Sequence, residues 1–442
     1  MSTALLTDRY ELTMLQAALR SGAAHRRAVF EVFARRLPTG RRYGVVAGTG
    51  RVLDALEAFA FGSAELGWLS DNEVVDDATL AYLASYRFSG DIDGYREGDL
   101  FFPGSPILTV ESTFAEAVLL ETLVLSILNH DCAIAAAASR MTNAAGDRPC
   151  LEMGSRRTHE QSAVAAARAA YVAGFAATSN LEAGRTYGIP TAGTSAHAFT
   201  LIHDDEATAF RAQLDALGAG TTLLVDTFDV ATAVQTAVDV AGPAELGALR
   251  IDSGDLVDLA RHVRAQLDRL GAVKTRIVVT SDLDEFAIAA LASAPVDSYG
   301  VGTSVVTGSG APTAALVYKM LARTGDDTTT PAWRSVAKAS PGKVDHGGHK
   351  RAFRSHDADG RATAEVIRYR PDPADDRLPA ADPNERPLLT PLVRAGQIVG
   401  RESLEAARAT HRDARSALPP AGLRLSPGEP AIDTRFEPDY GQ

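Results

Sequence analysis

The chain contains only two cysteines, Cys132 and Cys150, in 442 residues. That leaves no material for a disulfide framework or a cysteine-rich zinc site. Its ten histidines fall into no HExxH or other metal-ligand spacing, so no dedicated metal centre is expected. No stretch approaches the ~18 consecutive apolar residues of a membrane span, so no membrane association is expected. The opening MSTALLTDRYELTM carries acids where a secretory signal would have a basic leader and an apolar core. A cytoplasmic location is therefore expected. A basic excess is missing too. The net charge is −12, which repels phosphate backbones and argues against nucleic acid as a partner. An anionic ligand would need a local pocket that overrides this field. Neither GxxxxGK[ST] nor a GxGxxG opening a strand–helix unit occurs, so any ATP is bound without the common cradles.

With 45% hydrophobic and 23% charged residues, the composition is that of a globular protein of two or three domains. The first hundred residues read as mixed. Asp8 is placed to cap a helix over about Arg9–Arg20, with Leu12, Leu15 and Leu19 at helical spacing. AVFEVFARRLPTGRRYG reads as a strand and turn, and GDIDGYREGDLFFPGSPILTV as antiparallel strands with tight turns. From Thr113 to about Ala145 the Ala- and Leu-rich run predicts one long, mostly buried helix, kinked near Asn129–His130.

A rhythm follows. Short apolar runs close in small polar residues at Ser155, Asn180, Thr194, Thr227, Gly254, Asp282 and Thr303. Helix-like segments such as QSAVAAARAAYVA and LVDLARHVRAQLDRL separate most of them. This pattern predicts parallel strands with crossover helices, and VYKML is a candidate eighth strand. The fold class is therefore α/β, an irregular TIM-like β/α barrel. A second, α+β domain is expected from both chain ends, over 1–112 and 328–442, with the barrel and its entry helix over 113–327. The tail predicts short strands and a final helix in SLEAARATHRDARSAL. KASPGK, with Lys338 and Lys343, reads as an exposed hairpin.

In such barrels the reactive groups gather at the C-terminal ends of the strands. Arg156, Asn180, Thr194, His197, Asp226, Arg250, Asp252, Ser281, Asp282, Gly302 and Thr303 fall there. Arg250 and Asp252 lie two residues apart, so a strand points both to one face. Arg250 suits bidentate capture of a carboxylate or phosphate; spacing alone equally allows an Arg–Asp pair tying strands together. SYGVGTSVVTGSGAP follows the seventh candidate strand. Its glycines suit a phosphate cradle backed by a helix N-terminus, or a plain turn. His197 suits a general base or a phosphoryl acceptor, or a structural role. Arg156, Arg157 and His159 suit an anion, or a solvated basic face.

TDRYELTM, RRLPTGRRYGVVAG, EMGSRRTHEQ, GFAATSNLEAGRTYGIPTAGTSAHAF, RIDSGDL, TSDLDE and GVGTSVVTGSGAPT together resemble the nicotinate phosphoribosyltransferase family, from about Thr7 to Lys343. The resemblance implies a barrel of the quinolinate and nicotinate phosphoribosyltransferase type. It implies an ATP-coupled ligase that joins nicotinate to 5-phosphoribosyl 1-diphosphate in NAD biosynthesis. The products are nicotinate mononucleotide and diphosphate. It further implies a homodimer with shared active sites and Mg²⁺ bound through substrate phosphates. On matching positions it implies that Tyr10 stacks on the pyridine ring, Thr194 contacts nicotinate and Arg250 binds its carboxylate. His197 becomes the phosphohistidine, and Gly302 and Thr303 hold the 5-phosphate. Asp252 and Ser281 support the ribose, Mg²⁺ or diphosphate. Relatives that use nicotinamide carry an acid where Asn180 aligns. The rival readings are a related enzyme for nicotinamide or quinolinate, and a non-catalytic barrel that binds phosphorylated metabolites.

Overall fold

The strand–helix rhythm of the middle of the chain folds into a curled parallel sheet. The structure, a computed structural model, describes residues 2–325, 332–337, 339–340, 343–344, 346–369 and 381–437. Lys338 and the Pro341–Gly342 turn of KASPGK, with the Lys343 side chain, lie outside the described residues. The chain divides into two units, Ile134–Pro312 and a terminal unit of Met1–Ala133 with Thr313–Gln442.

In the middle unit the strands are Cys150–Glu152 (β1), Ala177–Thr178 (β2), Thr222–Leu224 (β3), Ala248–Ile251 (β4), Arg276–Val279 (β5) and Ser298–Val301 (β6). Their order is β2-β1-β6-β5-β4-β3, and every pairing is parallel. No pairing joins β2 to β3 among the described residues, so the barrel is a half-barrel. TAGT, read from the sequence as a strand, contributes a single bridge between Thr191 and Thr178. Its apolar run is too short to sustain a ladder. VYKML is no barrel strand either; it lies in Leu316–Thr324, which pairs antiparallel with Arg27–Ala34 in the terminal unit.

The crossover helices explain where many of the acids go. Asp205, Asp229, Asp255 and Asp284 are N-caps whose carboxylates accept backbone N–H groups of the first turn. A cap oxygen satisfies an orphan donor and its charge suits the positive helix end.

The terminal unit is built around an antiparallel sheet ordered Trp333–Ser335, Leu316–Thr324, Arg27–Ala34, Leu108–Thr113, Asp91–Tyr95, Leu389–Arg394 and Gln397–Ile398. A four-stranded sheet contains Glu385–Pro387, Lys350–His356, Ala362–Tyr369 and Asp433–Phe436. Asp8 occupies the N-cap position of the helix Arg9–Ser21, but its side chain makes no capping hydrogen bond. The long helix starts after a break at Leu119–Leu120 and runs unbroken over Glu121–Ala145. At Asn129, where a kink was predicted, the backbone carbonyl accepts from Ala314 N at 3.0 Å. The Asn129 side chain accepts from Leu316 N at 2.8 Å and donates to Leu316 O at 3.2 Å. This helix is long and apolar enough to cross a bilayer, but 72% of its apolar window is buried inside the protein.

Candidate active site

The carboxyl ends of β1, β2, β4, β5 and β6 converge on a cavity of about 430 Å³. Arg156, Thr194, Arg250, Asp252, Ser281, Gly302 and Thr303 line it, together with Met153, Arg157, Thr280 and Asp282, among others. Residues scattered over 150 positions of sequence therefore share one wall, because parallel strands present every C-terminal end on one rim.

Arg250 enters from the penultimate position of β4. Its Nη1 donates to Thr194 Oγ1 at 3.0 Å and to Ser195 O at 3.2 Å, while its buried Nε has no partner among the described residues. The Arg250–Asp252 strand tie allowed by spacing is not made. Burial pulls the Arg250 guanidinium below its ordinary value; Asp252 and Asp226 oppose that shift, and Arg156 adds to it. Arg156 and Arg157 sit on the turn Ser155–Arg157 and have no ion-pair partner among the described residues. Three guanidinium groups, Arg156, Arg157 and Arg250, thus line the cavity together with the carboxylates of Asp252 and Asp282.

In the same lining, Asp252 accepts the Thr280 hydroxyl. Ser281 follows with φ +118°, a backbone conformation that a side chain rarely adopts. Strain held at a cavity wall points to function. Gly300 is required by close approach, since a Cβ there would meet Thr280 Cγ2 at 2.4 Å and Met153 Sδ at 2.7 Å. Gly302 leads into the helix Thr303–Val306, only four residues long. Such a helix has little dipole, so an anion at this loop would rest on backbone N–H groups instead.

His197 does not line the cavity. It opens the helix His197–Leu201, directly after the lining residue Ala196. Its Nδ1 is 3.2 Å from Thr227 Oγ1, and its Nε2 is 4.0 Å from Asp226 Oδ1. Asp226 was read only as a strand end; its second oxygen, Oδ2, accepts from Asp252 N at 3.0 Å and Ser253 Oγ at 2.6 Å. Asn180 also lies off the wall. Its Oδ1 caps the helix Leu181–Tyr187 through Ala183 N at 2.9 Å, and its Nδ2 donates to Ser155 Oγ at 3.0 Å. Tyr10 belongs to the terminal unit, on Arg9–Ser21, and is 44% exposed. Burial and the neighbouring Glu121 and Glu11 push its hydroxyl up to about 12. The buried Glu152 at the end of β1 opens the block EMGSRRTHEQ, but nothing in the sequence singled it out from that block. No cluster of three or more metal-ligating side chains occurs among the described residues.

An open β/α barrel with an arginine-lined cavity at its strand ends defines the class of fold and site. Residues 5–129 match the nicotinate phosphoribosyltransferase (NAPRTase) N-terminal domain. The chain is 60% identical to the nicotinate phosphoribosyltransferase pncB1 of Mycobacterium tuberculosis, over 98% of this chain and 95% of that protein. It is 35% identical to the nicotinate phosphoribosyltransferase of Bacillus subtilis, over 80% and 73%. The crystal structure of human nicotinic acid phosphoribosyltransferase superposes with a TM-score of 0.79 at 26% identity, covering 98% of this chain and 97% of that one. The chain belongs to the nicotinate phosphoribosyltransferase family.

Proposed function

We propose that this protein joins nicotinate to 5-phosphoribosyl 1-diphosphate, yielding nicotinate mononucleotide and diphosphate for NAD biosynthesis, with ATP hydrolysis coupled to the reaction. The observation that carries this reading is the convergence of Arg250, Arg156 and the Gly302–Thr303 loop on one cavity. In the reaction the pyridine nitrogen supplies the electron pair of the new N–C1′ bond. The C1′–O bond breaks, and its electrons leave with diphosphate. Positive charge grows on the sugar and negative charge on the leaving group, so positioning and electrostatics do the catalysis.

The roles follow from charge and place. Arg250, whose Nη1 also holds Thr194, takes the nicotinate carboxylate. The Gly302–Thr303 amides and hydroxyl take the 5-phosphate, and Arg156 the diphosphate. Ser281 and Asp252 face the ribose. Asp252 and Asp282 offer carboxylate oxygens on the same wall, a donor set that suits Mg²⁺ shared with substrate phosphates. When bound, Mg²⁺ supplies countercharge to the diphosphate. His197 accepts the γ-phosphoryl group of ATP with release of ADP, and water then cleaves the P–N bond, releasing inorganic phosphate and restoring the imidazole. Asp226, with Oδ1 4.0 Å from His197 Nε2, orients that ring. Tyr10 stacks on the pyridine from the second copy of a cytoplasmic homodimer.

The test is purified protein with the ribosyl donor and nicotinate, nicotinamide or quinolinate, with and without ATP, followed by chromatography of the mononucleotides. Nicotinate mononucleotide formed fastest and stimulated by ATP is expected. Faster turnover of another base, or no product from nicotinate, overturns the reading.

A further inference from the structure

Glu152 ends β1 with its side chain buried, 1% exposed, and it does not line the cavity. Its two oxygens hold two different loops. Oε1 accepts from Gly154 N, at the start of the segment that carries Arg156 and Arg157. Oε2 accepts from the Thr178 hydroxyl on β2. Thr178 Oγ1 in turn accepts from Asn180 N at 2.9 Å, and Asn180 Nδ2 donates to Ser155 Oγ at 3.0 Å. The hydrogen bonds thus form a ring that returns to the loop opened by Gly154. A third loop presses on the same point. A Cβ at Gly154 would lie 2.2 Å from Val306 Cγ1, 2.9 Å from Gly302 O and 3.0 Å from Glu152 Oε1. One buried carboxylate therefore sits where three cavity loops meet. Burial pushes its carboxyl up, against the bonds from Thr178 and Gly154. A group that is costly to bury, and touches no cavity, is retained for the geometry it imposes.

Building on the phosphoribosyltransferase reading of the cavity, we propose that Glu152 is a positioning residue that holds the Arg156–Arg157 loop against Gly302–Thr303, so that cations and backbone amides converge on the phosphates of the sugar donor. The ligand class it governs is the phosphorylated sugar. The pyridine base is spared, because Thr194 and Arg250 stand outside the ring of hydrogen bonds.

The test varies each substrate separately in wild type, Glu152→Gln, Thr178→Val, Arg156→Ala and the Glu152→Gln/Arg156→Ala pair. Glu152→Gln raises the KM for 5-phosphoribosyl 1-diphosphate by roughly tenfold and leaves that for nicotinate within about twofold. In the Arg156→Ala background it adds little, because both changes act through one loop. Equal rises in both KM values, additive effects, or a lower unfolding temperature with unchanged kinetics overturn the proposal. Thr178→Val removes one bond and keeps the carboxylate, so it carries the same comparison if Glu152→Gln does not fold. Calorimetry with inorganic diphosphate separates the two readings. A wild type without turnover sinks the enzymatic reading, whereas diphosphate binding unchanged by both variants sinks this one.

Discussion

Asp226 Oδ1 lies 4.0 Å from His197 Nε2 and is the oxygen of that buried carboxylate left without a hydrogen bond among the described residues. Its other oxygen is held by Asp252 N and Ser253 Oγ, so the carboxylate cannot swing away. Asp226→Asn keeps the shape and removes the charge facing the imidazole. ATP stimulation of turnover falls by roughly tenfold or more, while ATP-independent turnover stays within about twofold. Acid-labile phosphate on the protein, measured after incubation with labelled ATP, falls in parallel.

Arg250→Lys replaces a planar fork with a point charge and abandons Thr194. Hydrogen bonds to charged groups contribute about 1.5–3 kcal/mol, so kcat/KM for nicotinate drops between roughly tenfold and a hundredfold. The KM for the ribosyl donor moves far less. Steady-state kinetics with each substrate varied checks both.

Much of this site was legible because parallel strands announce their ends. Short apolar runs closed by Thr, Ser, Asp or Gly located Thr194, Arg250, Asp252, Ser281 and Thr303, and the structure gathers these on one wall. Direction and partner were not legible. VYKML is a short apolar run like the others, yet its partner Arg27–Ala34 lies nearly three hundred residues away, and nothing local encodes that. Nor was it legible that the Asn180 amide engages Ala183 N and Ser155 Oγ. Glu152 and Asp226 are ordinary acids on paper. Their burial is a tertiary fact, and burial is what gives each its chemistry.

Glu11 is fully buried on Arg9–Ser21 and accepts from Thr122 N at 2.8 Å, from the Thr122 hydroxyl and from the Thr7 hydroxyl. Burial outweighs these bonds and pushes its carboxyl from 4.5 up to about 7. A carboxyl with a raised folded value binds its proton more tightly folded than unfolded. Its contribution is therefore fully present below the unfolded value and fades as pH rises through about 7. Between pH 5 and 8 the Tm of the wild type falls more steeply than that of Glu11→Gln, as differential scanning calorimetry across that range will read.

Arg354 bridges two buried carboxylates, Asp99 at 2.7 Å and Glu365 at 2.7 Å. Arg386 also reaches Asp99, at 2.8 Å, and Tyr95 donates to Glu365. Arg354→Met leaves buried charge uncompensated and costs about 3–5 kcal/mol. Urea denaturation shows the midpoint moving down, and the kinetics of the remaining folded protein are unchanged.

The most direct measurement is a crystal structure of the protein with nicotinate mononucleotide bound. The phosphate is expected against Gly302 and Thr303, with the carboxylate on the Arg250 guanidinium. Product bound outside this cavity, or with its carboxylate away from Arg250, would contradict the account.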